Sequence, residues 1–361
     1  EAGLTVDEAA FHIEMTKQRE RARAERLAKD ISGWSADLFG ELTADATQFD
    51  GYETLSEKAK VLALSDGEEL VDAIATDEAG EAKDGVLVVL DRTPFYAEMG
   101  GQVADHGYLV SGDAKLKVTQ VKKTPKGYFV HTCELLDGTI HGGDEVTASV
   151  DEKRRAAICR NHTATHLLQK ALREVLGEHV HQAGSYQDDR ITHFDFTHFS
   201  AVSPAELAEV ERRVNEKIYE ALPVTVKNLP IEEAKKMGAM ALFGEKYGSV
   251  VRVVDAGGWS TEFCGGTHVT NTAQIGCFKI LSESSVAAGI RRIEATTAFG
   301  VLDLLDDRTE TLAKTAVALK ANNLKDAPAR AEALAAELKE TAKQLEILKA
   351  QMASALSLIH I

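Results

Sequence analysis

Four side chains in this sequence are typed and spaced to share one metal ion. His162 and His166 stand four positions apart in His162-Thr163-Ala164-Thr165-His166, and Cys264 and His268 stand four apart in Cys264-Gly265-Gly266-Thr267-His268. Three imidazoles and one thiolate form the borderline-soft donor set that selects zinc. Either pair alone is weak, because two histidines on an amphipathic helix are more often surface or packed residues than ligands. Their co-occurrence in a chain with only four cysteines carries more. It predicts one Zn2+ held by His162, His166, Cys264 and His268, the same four residues being the catalytic candidates.

The elements that must position them follow from the local pattern. The first pair opens a segment in which Leu168, Leu172, Val175 and Leu176 recur at helical spacing. Its two imidazoles are therefore expected one turn apart on one helix face, with the helix ending near Gly177. Gly265 and Gly266 predict a tight turn that folds Cys264 and His268 onto one point. Ser203-Pro204-Ala205-Glu206 predicts a second helix, with a capping box and Pro at its first position, running to about Leu222. Strands are expected near 191–196, 250–254, 275–281 and 290–295, so that 151–300 reads as helices on a mostly antiparallel sheet, an α+β layer.

Before that layer, β-rich runs at 86–90, 115–121 and 128–132 are separated by Gly, Asp and Pro turns, the outline of a small β-barrel. Gly100 and Gly101 lie in a loop where the backbone can pass close to a ligand, and Gln102 adds an amide that donates and accepts. Residues 1–70 read as helical, with a capping-box pattern at Thr5 and Glu8. Beyond Phe299, Leu334, Leu338, Thr341, Leu345, Leu348 and Met352 follow four-and-three spacing, a short heptad seam that predicts a coiled-coil-like helix. The last five residues, Ser357 to Ile361, break that pattern and read as a truncation scar.

A chain of 361 residues with 44% hydrophobic and 27% charged residues is long enough for two or three ordinary globular domains. No apolar run reaches bilayer-spanning length and no signal peptide opens the chain, so a cytoplasmic protein without a membrane partner is expected. Cysteines at 133, 159, 264 and 277 form no disulfide framework. A net charge of −16 excludes a broadly basic nucleic-acid binder. RNA contacts are expected only from patches at Lys122, Lys123 and Lys126, at Lys153 to Arg155, and at Arg291 with Arg292. His179, His181, His193 and His198 repeat no ligand spacing and read as structural or surface residues.

Asn161-His162-Thr163-Ala164-Thr165-His166-Leu167-Leu168 taken with Cys264-Gly265-Gly266-Thr267-His268 resembles the editing domain of alanyl-tRNA synthetases. That domain is similar to the editing domain of threonyl-tRNA synthetase and to free-standing alanyl-tRNA editing proteins. Asp91 to Gln102 resembles the glycine motif of these proteins, and Gly289 to Glu294 resembles their closing strand, so nearly the whole chain is covered.

The resemblance implies four parts: 1–70, the end of a helical tRNA-recognition domain; 71–150, a β-barrel with the glycine motif; 151–300, a zinc-dependent editing core; 301–361, the start of a helical linker to a C-terminal domain that is absent. It further implies hydrolysis of the ester in mischarged Ser-tRNA(Ala) and Gly-tRNA(Ala), with the tRNA(Ala) acceptor end as partner. ATP and Mg2+ would serve only an aminoacylation domain, absent from this chain, that attaches alanine to tRNA(Ala). Thr93, Gly100, Gly101, Gln102 and Arg291 are the implied substrate-binding residues, Thr93 and Gln102 being the candidates for the serine hydroxyl. A homo-oligomer through the C-terminal region is also implied.

Two competing readings stand beside it, a zinc-stabilised tRNA-binding module without turnover and a free-standing trans-editing deacylase. The helical segments flanking the core disfavour the latter. Four protein ligands make a closed, structural-type site, whereas direct water activation needs an open position. The sequence leaves open whether zinc activates water or orients the aminoacyl group.

Overall fold

The structure, a computed structural model, describes residues 38–76, 81–236 and 248–359, without the side chains of 355–359. The helix expected over the first thirty residues lies outside the described residues. Two compact units are resolved, 1–296 and 297–361.

In the first unit, a closed six-stranded barrel is built from β1 (Ser56–Ser65), β2 (Lys83–Leu90), β3 (Gly107–Ser111), β4 (Ala114–Lys123), β5 (Phe129–Asp137) and β6 (Glu145–Val150). The strand order is β6-β3-β4-β5-β2-β1, and an antiparallel β6–β1 pairing closes it. Period-2 alternation fills the interior: Val86, Val88 and Leu90, Leu116 and Val118, and Val146, Ala148 and Val150 share one core. The intervening Val89 and Val130 pack instead with Phe39 and Tyr128 in a separate cluster.

The helical reading of residues 1–70 is overturned where the structure describes them. Ser56–Ser65 is a barrel strand, and Gln48–Phe49 pairs in parallel with Arg92–Thr93. Ala, Leu and Lys favour helix locally, but Ala59 and Val61 alternate into the barrel core, and tertiary burial decides. The barrel thus begins some fifteen residues before the expected boundary at 71.

The remainder of this unit is the α+β core. It contains α1 (Glu152–Leu176), β7 (Gln182–Gln187), β8 (Thr192–Thr197), α2 (Pro204–Tyr219), β9 (Val224–Pro230), α3 (Ile231–Lys236), β10 (Val250–Ala256), β11 (Ser260–Phe263), β12 (Phe278–Ala287) and β13 (Ile290–Thr297). Asp151 caps α1 by accepting from the Arg154 N–H, and the helix stops at Gly177 as expected. It starts ten residues before His162, so the histidine pair sits mid-helix. Ala164, Leu167, Leu168, Ala171 and Leu172 bury its inner face beside Phe194, Phe196 and Val214. The capping box at Ser203 and Glu206 is formed.

Among the described residues of this core there are two sheets instead of one, a four-stranded sheet of order β7-β8-β13-β12 and a three-stranded antiparallel sheet of order β9-β10-β11. Gln182–Gln187 contains no β-branched residue, which hid β7 in the sequence. The strand expected from 275 begins at Phe278, because Thr272–Ile275 forms a 3-10 turn capped by Asn271.

The second unit consists of α4 (Phe299–Ala318) and α5 (Ala327–Ile359), with a 3-10 turn over Leu324–Asp326 between them. The heptad residues Leu338, Leu345, Leu348 and Met352 lie on α5 and are exposed. Among the described residues no helix is long and apolar enough to cross a membrane.

Candidate metal centre

The helical spacing does what the sequence requires of it. His162 and His166 project from α1 with ring centroids 5.4 Å apart, and the loop after β11 delivers Cys264 and His268 to the same point. Cys264 Sγ lies 3.4 Å from His162 Nε2 and 3.3 Å from His268 Nε2. The four ligand atoms all fall within 4.8 Å of one another. Tetrahedral zinc holds a sulfur and a nitrogen about 3.6 Å apart, so the donors stand close to ligating separation.

The loop folds Cys264 and His268 back onto one point as expected, and a cation braces it. Gly265 and Gly266 are not among the glycines with positive φ. Arg252 donates from Nη1 to the carbonyl oxygens of Cys264 and Gly266, both at 2.8 Å. Its guanidinium sits 4.1 Å from the Tyr52 ring centroid, and the Tyr52 hydroxyl donates to the Gly265 carbonyl. Gly266 is needed for space rather than for conformation, because a Cβ there would meet His162.

Two of the three imidazoles have a hydrogen-bonded Nδ1 and the third faces a carboxylate. His162 Nδ1 is 2.8 Å from Gln102 Oε1, His268 Nδ1 is 3.1 Å from Thr163 Oγ1, and His166 Nδ1 is 3.6 Å from Glu262 Oε2. This is the arrangement by which outer partners orient ligating histidines. Burial, reinforced by neighbouring histidines and Arg252, drives His162 and His268 well below the usual imidazole range. Burial, with Arg252 adding to it, brings His166 to about 3. Neutral imidazole is the form a metal takes. Donor set, spacing and anchored rings all fit one zinc ion.

Sequence reasoning missed Glu262, whose carboxyl is pushed up to about 8 by burial. The available signal was its place two residues before Cys264 in an otherwise apolar or hydroxylic strand.

The expected substrate residues lie in different surroundings. Gln102 is at the centre, 0% exposed and bonded to His162. Thr93 is also 0% exposed, but its hydroxyl is engaged inside the barrel. His131 Nδ1 lies 3.0 Å from the Val88 carbonyl, which only accepts, so Nδ1 carries the proton and Nε2 accepts from Thr93 Oγ1 at 2.8 Å. Gly100 and Gly101 take φ of +63° and +87°, as their loop requires. Arg291 pairs with Glu283 on β12, and Arg292 pairs with Asp195.

One basic patch is divided. Arg155 is buried against Asp105, with side-chain exposures of 5% and 1%, so its charge is taken up by that carboxylate. Its guanidinium also donates to the carbonyls of Gly51 and Pro94, tying α1 to the barrel. Arg154 pairs with Asp189 at 3.1 Å, whereas Lys153 is exposed. Lys126 bonds the Gly40 carbonyl, and Lys123 lies 5.3 Å over the Phe129 ring.

A cleft of about 760 Å³ adjoins the centre. Tyr52, Arg160, Asn228, Arg252, Thr267 and His268 are among its walls, so one metal-ligating candidate opens directly into it. Cys264 and His268 are the half-exposed members of the ligand set, and His162 and His166 the buried ones.

Comparison with known proteins assigns these features to a class. Residues 1–154 match the family model for class II (A) tRNA synthetases, and residues 251–294 match the second additional domain of threonyl and alanyl tRNA synthetases. An alanine–tRNA ligase of Shouchella clausii (strain KSM-K16) is 47% identical over 353 residues, which is 98% of this chain and 40% of the relative. One from Acetivibrio thermocellus is 47% identical over 355 residues, with the same shares, and one from Bacillus velezensis is 48% identical over 349 residues, or 97% of this chain and 39% of the relative. The chain belongs to the alanyl-tRNA synthetase family. It spans about two fifths of the length of the curated relatives it matches.

Proposed function

We propose that this chain is the editing portion of an alanyl-tRNA synthetase, releasing serine or glycine from mischarged tRNA(Ala) by hydrolysing the ester to the terminal ribose. The observation that carries this reading is the convergence of His162, His166, Cys264 and His268 to within 4.8 Å beside a cleft large enough for a nucleotide. These four residues would hold one zinc ion, which when bound supplies Lewis-acid polarisation or orientation of the aminoacyl group. The rest is done by the chain's own groups. Gln102 and Thr163 hold two of the rings in place, and Arg252 fixes the carbonyls of the ligand loop. Arg160 and Arg252 present positive charge in the cleft wall to the phosphates next to the ester. Substrate would enter on the side of His268, the ligand that faces the cleft.

A second site of this kind answers a selectivity problem. A synthetic pocket sized for alanine cannot reject glycine by size and discriminates little against an added hydroxyl. The full-length protein would attach alanine to tRNA(Ala) with ATP and Mg2+, in the cytoplasm. The four-ligand set also favours a second reading, a zinc-stabilised tRNA-binding module without turnover, because such a set is closed.

Single-turnover release of serine from Ser-tRNA(Ala), beside Ala-tRNA(Ala) and a Cys264→Ala variant, separates the two. Preferential serine release that is lost together with zinc supports editing. Zinc bound without cleavage of either ester above the buffer rate supports the binding module.

A further inference from the structure

Gln102 is expected from the sequence to contact the substrate, yet none of its surface is exposed. Its carbonyl Oε1 accepts twice, from His162 Nδ1 at 2.8 Å and from the Thr267 backbone N–H at 2.9 Å. An amide oxygen has two lone pairs, and both are used. Nε2 donates to Thr267 Oγ1 at 2.9 Å, so one residue of the ligand loop grips both ends of the amide and fixes which end faces His162. Thr267 is itself held from the other side, where Cys159 Sγ lies 3.2 Å from Oγ1.

The consequence falls on the tautomer of His162. A carbonyl oxygen cannot donate, so the proton of neutral His162 is held on Nδ1 and the lone pair of Nε2 is turned toward Cys264 Sγ, 3.4 Å away. We infer that Gln102 is a positioning residue for the zinc ligand His162, clamped by Thr267, and not a residue that touches the aminoacyl group. Gln102 lies in the glycine loop, Thr267 between Cys264 and His268, and His162 on α1. The clamp therefore locks three separate segments of chain into one ligand geometry.

This inference rests on the proposed zinc site and is tested on the protein without RNA, so its failure is distinguishable from failure of the hydrolytic reading. Zinc affinity would be measured by chelator competition for the wild-type chain, Gln102→Leu and Gln102→Glu. Loss of an outer partner typically weakens metal binding 10–100-fold, and that is the expectation for Gln102→Leu. Gln102→Glu keeps an acceptor for Nδ1 and is expected to stay within about threefold of wild type. The 15N spectrum of His162 gives a readout that a merely structural role would not move. In the zinc-free chain Nδ1 stays protonated in the wild type and in Gln102→Glu, and the tautomer becomes mixed in Gln102→Leu. Thr267→Val, which removes the side-chain half of the clamp, is expected to weaken zinc in the same direction should Gln102→Leu fail to fold. Unchanged zinc affinity and tautomer in Gln102→Leu, with loss of discrimination between serine and alanine esters, would overturn the inference and return Gln102 to substrate recognition. A wild-type chain that takes up no zinc would overturn the metal reading itself.

Discussion

Gly266 lies against the imidazole of His162 so closely that a Cβ on it would stand 2.1 Å from Cε1 and 2.4 Å from Nδ1, and 2.8 Å from Gln102 Oε1. Its neighbour Gly265 has open space within 4 Å. Adjacent glycines in one motif should therefore respond oppositely. Gly266→Ala is expected to displace His162, weaken zinc by at least tenfold and cost about 1–3 kcal/mol of stability. Gly265→Ala is expected to change zinc affinity by less than about twofold. Chelator competition and thermal unfolding on the two variants check this, and equal sensitivity would contradict it.

A similar contrast divides the glycine loop. Gly100 and Gly101 both sit in the left-handed region, but a Cβ on Gly101 would meet Ser185 Oγ at 2.5 Å and the Ser185 carbonyl at 2.6 Å, whereas Gly100 faces open space. Gly100→Ala bears only the conformational cost, about 1–2 kcal/mol. Gly101→Ala adds a clash with the β7 backbone that no rotamer relieves, and it should lower the denaturation midpoint by clearly more. Urea titration of both variants tests the ranking.

What was legible in the sequence is what local pattern encodes. The spacing of His162 and His166 specified one helix face, Ser203 with Glu206 specified a cap, and Val86, Val88 and Leu90 specified a strand. What was hidden depends on partners distant in sequence. Ala59 and Val61 read as helix until the barrel closes around them. Arg155 read as a phosphate contact until Asp105, fifty residues away, buries it. Nothing local says that the Thr93 hydroxyl meets His131 or that the Gln102 amide meets His162.

The Arg155–Asp105 pair joins α1 to the barrel at the near-complete exclusion of water. Removing one member leaves the other charge buried, and Asp105→Ala is expected to cost about 3–5 kcal/mol. Replacing both, as in Arg155→Met with Asp105→Ala, should cost less than the sum of the single changes, because no orphaned charge remains. A double-mutant cycle by urea denaturation measures this, and strict additivity would show that the two do not act as a pair.

His131 gives the barrel a pH dependence of its own. Burial brings its pKa down to about 4 from an ordinary value of 6.5, outweighing its bond to the Val88 carbonyl. Between those two values the unfolded chain binds the proton and the folded chain does not. Stability must therefore fall as pH drops through this window, by about 3 kcal/mol in all, and then level off below pH 4. His131→Gln can still donate to Val88 and accept from Thr93, but it does not titrate. The variant should lose that part of the acid slope, while the histidines of the metal centre, common to both proteins, cancel in the difference. Measured by urea unfolding, the stability of wild type minus that of the variant should fall by about 3 kcal/mol between pH 7 and pH 4. Parallel curves across that range would show that His131 does not carry the slope.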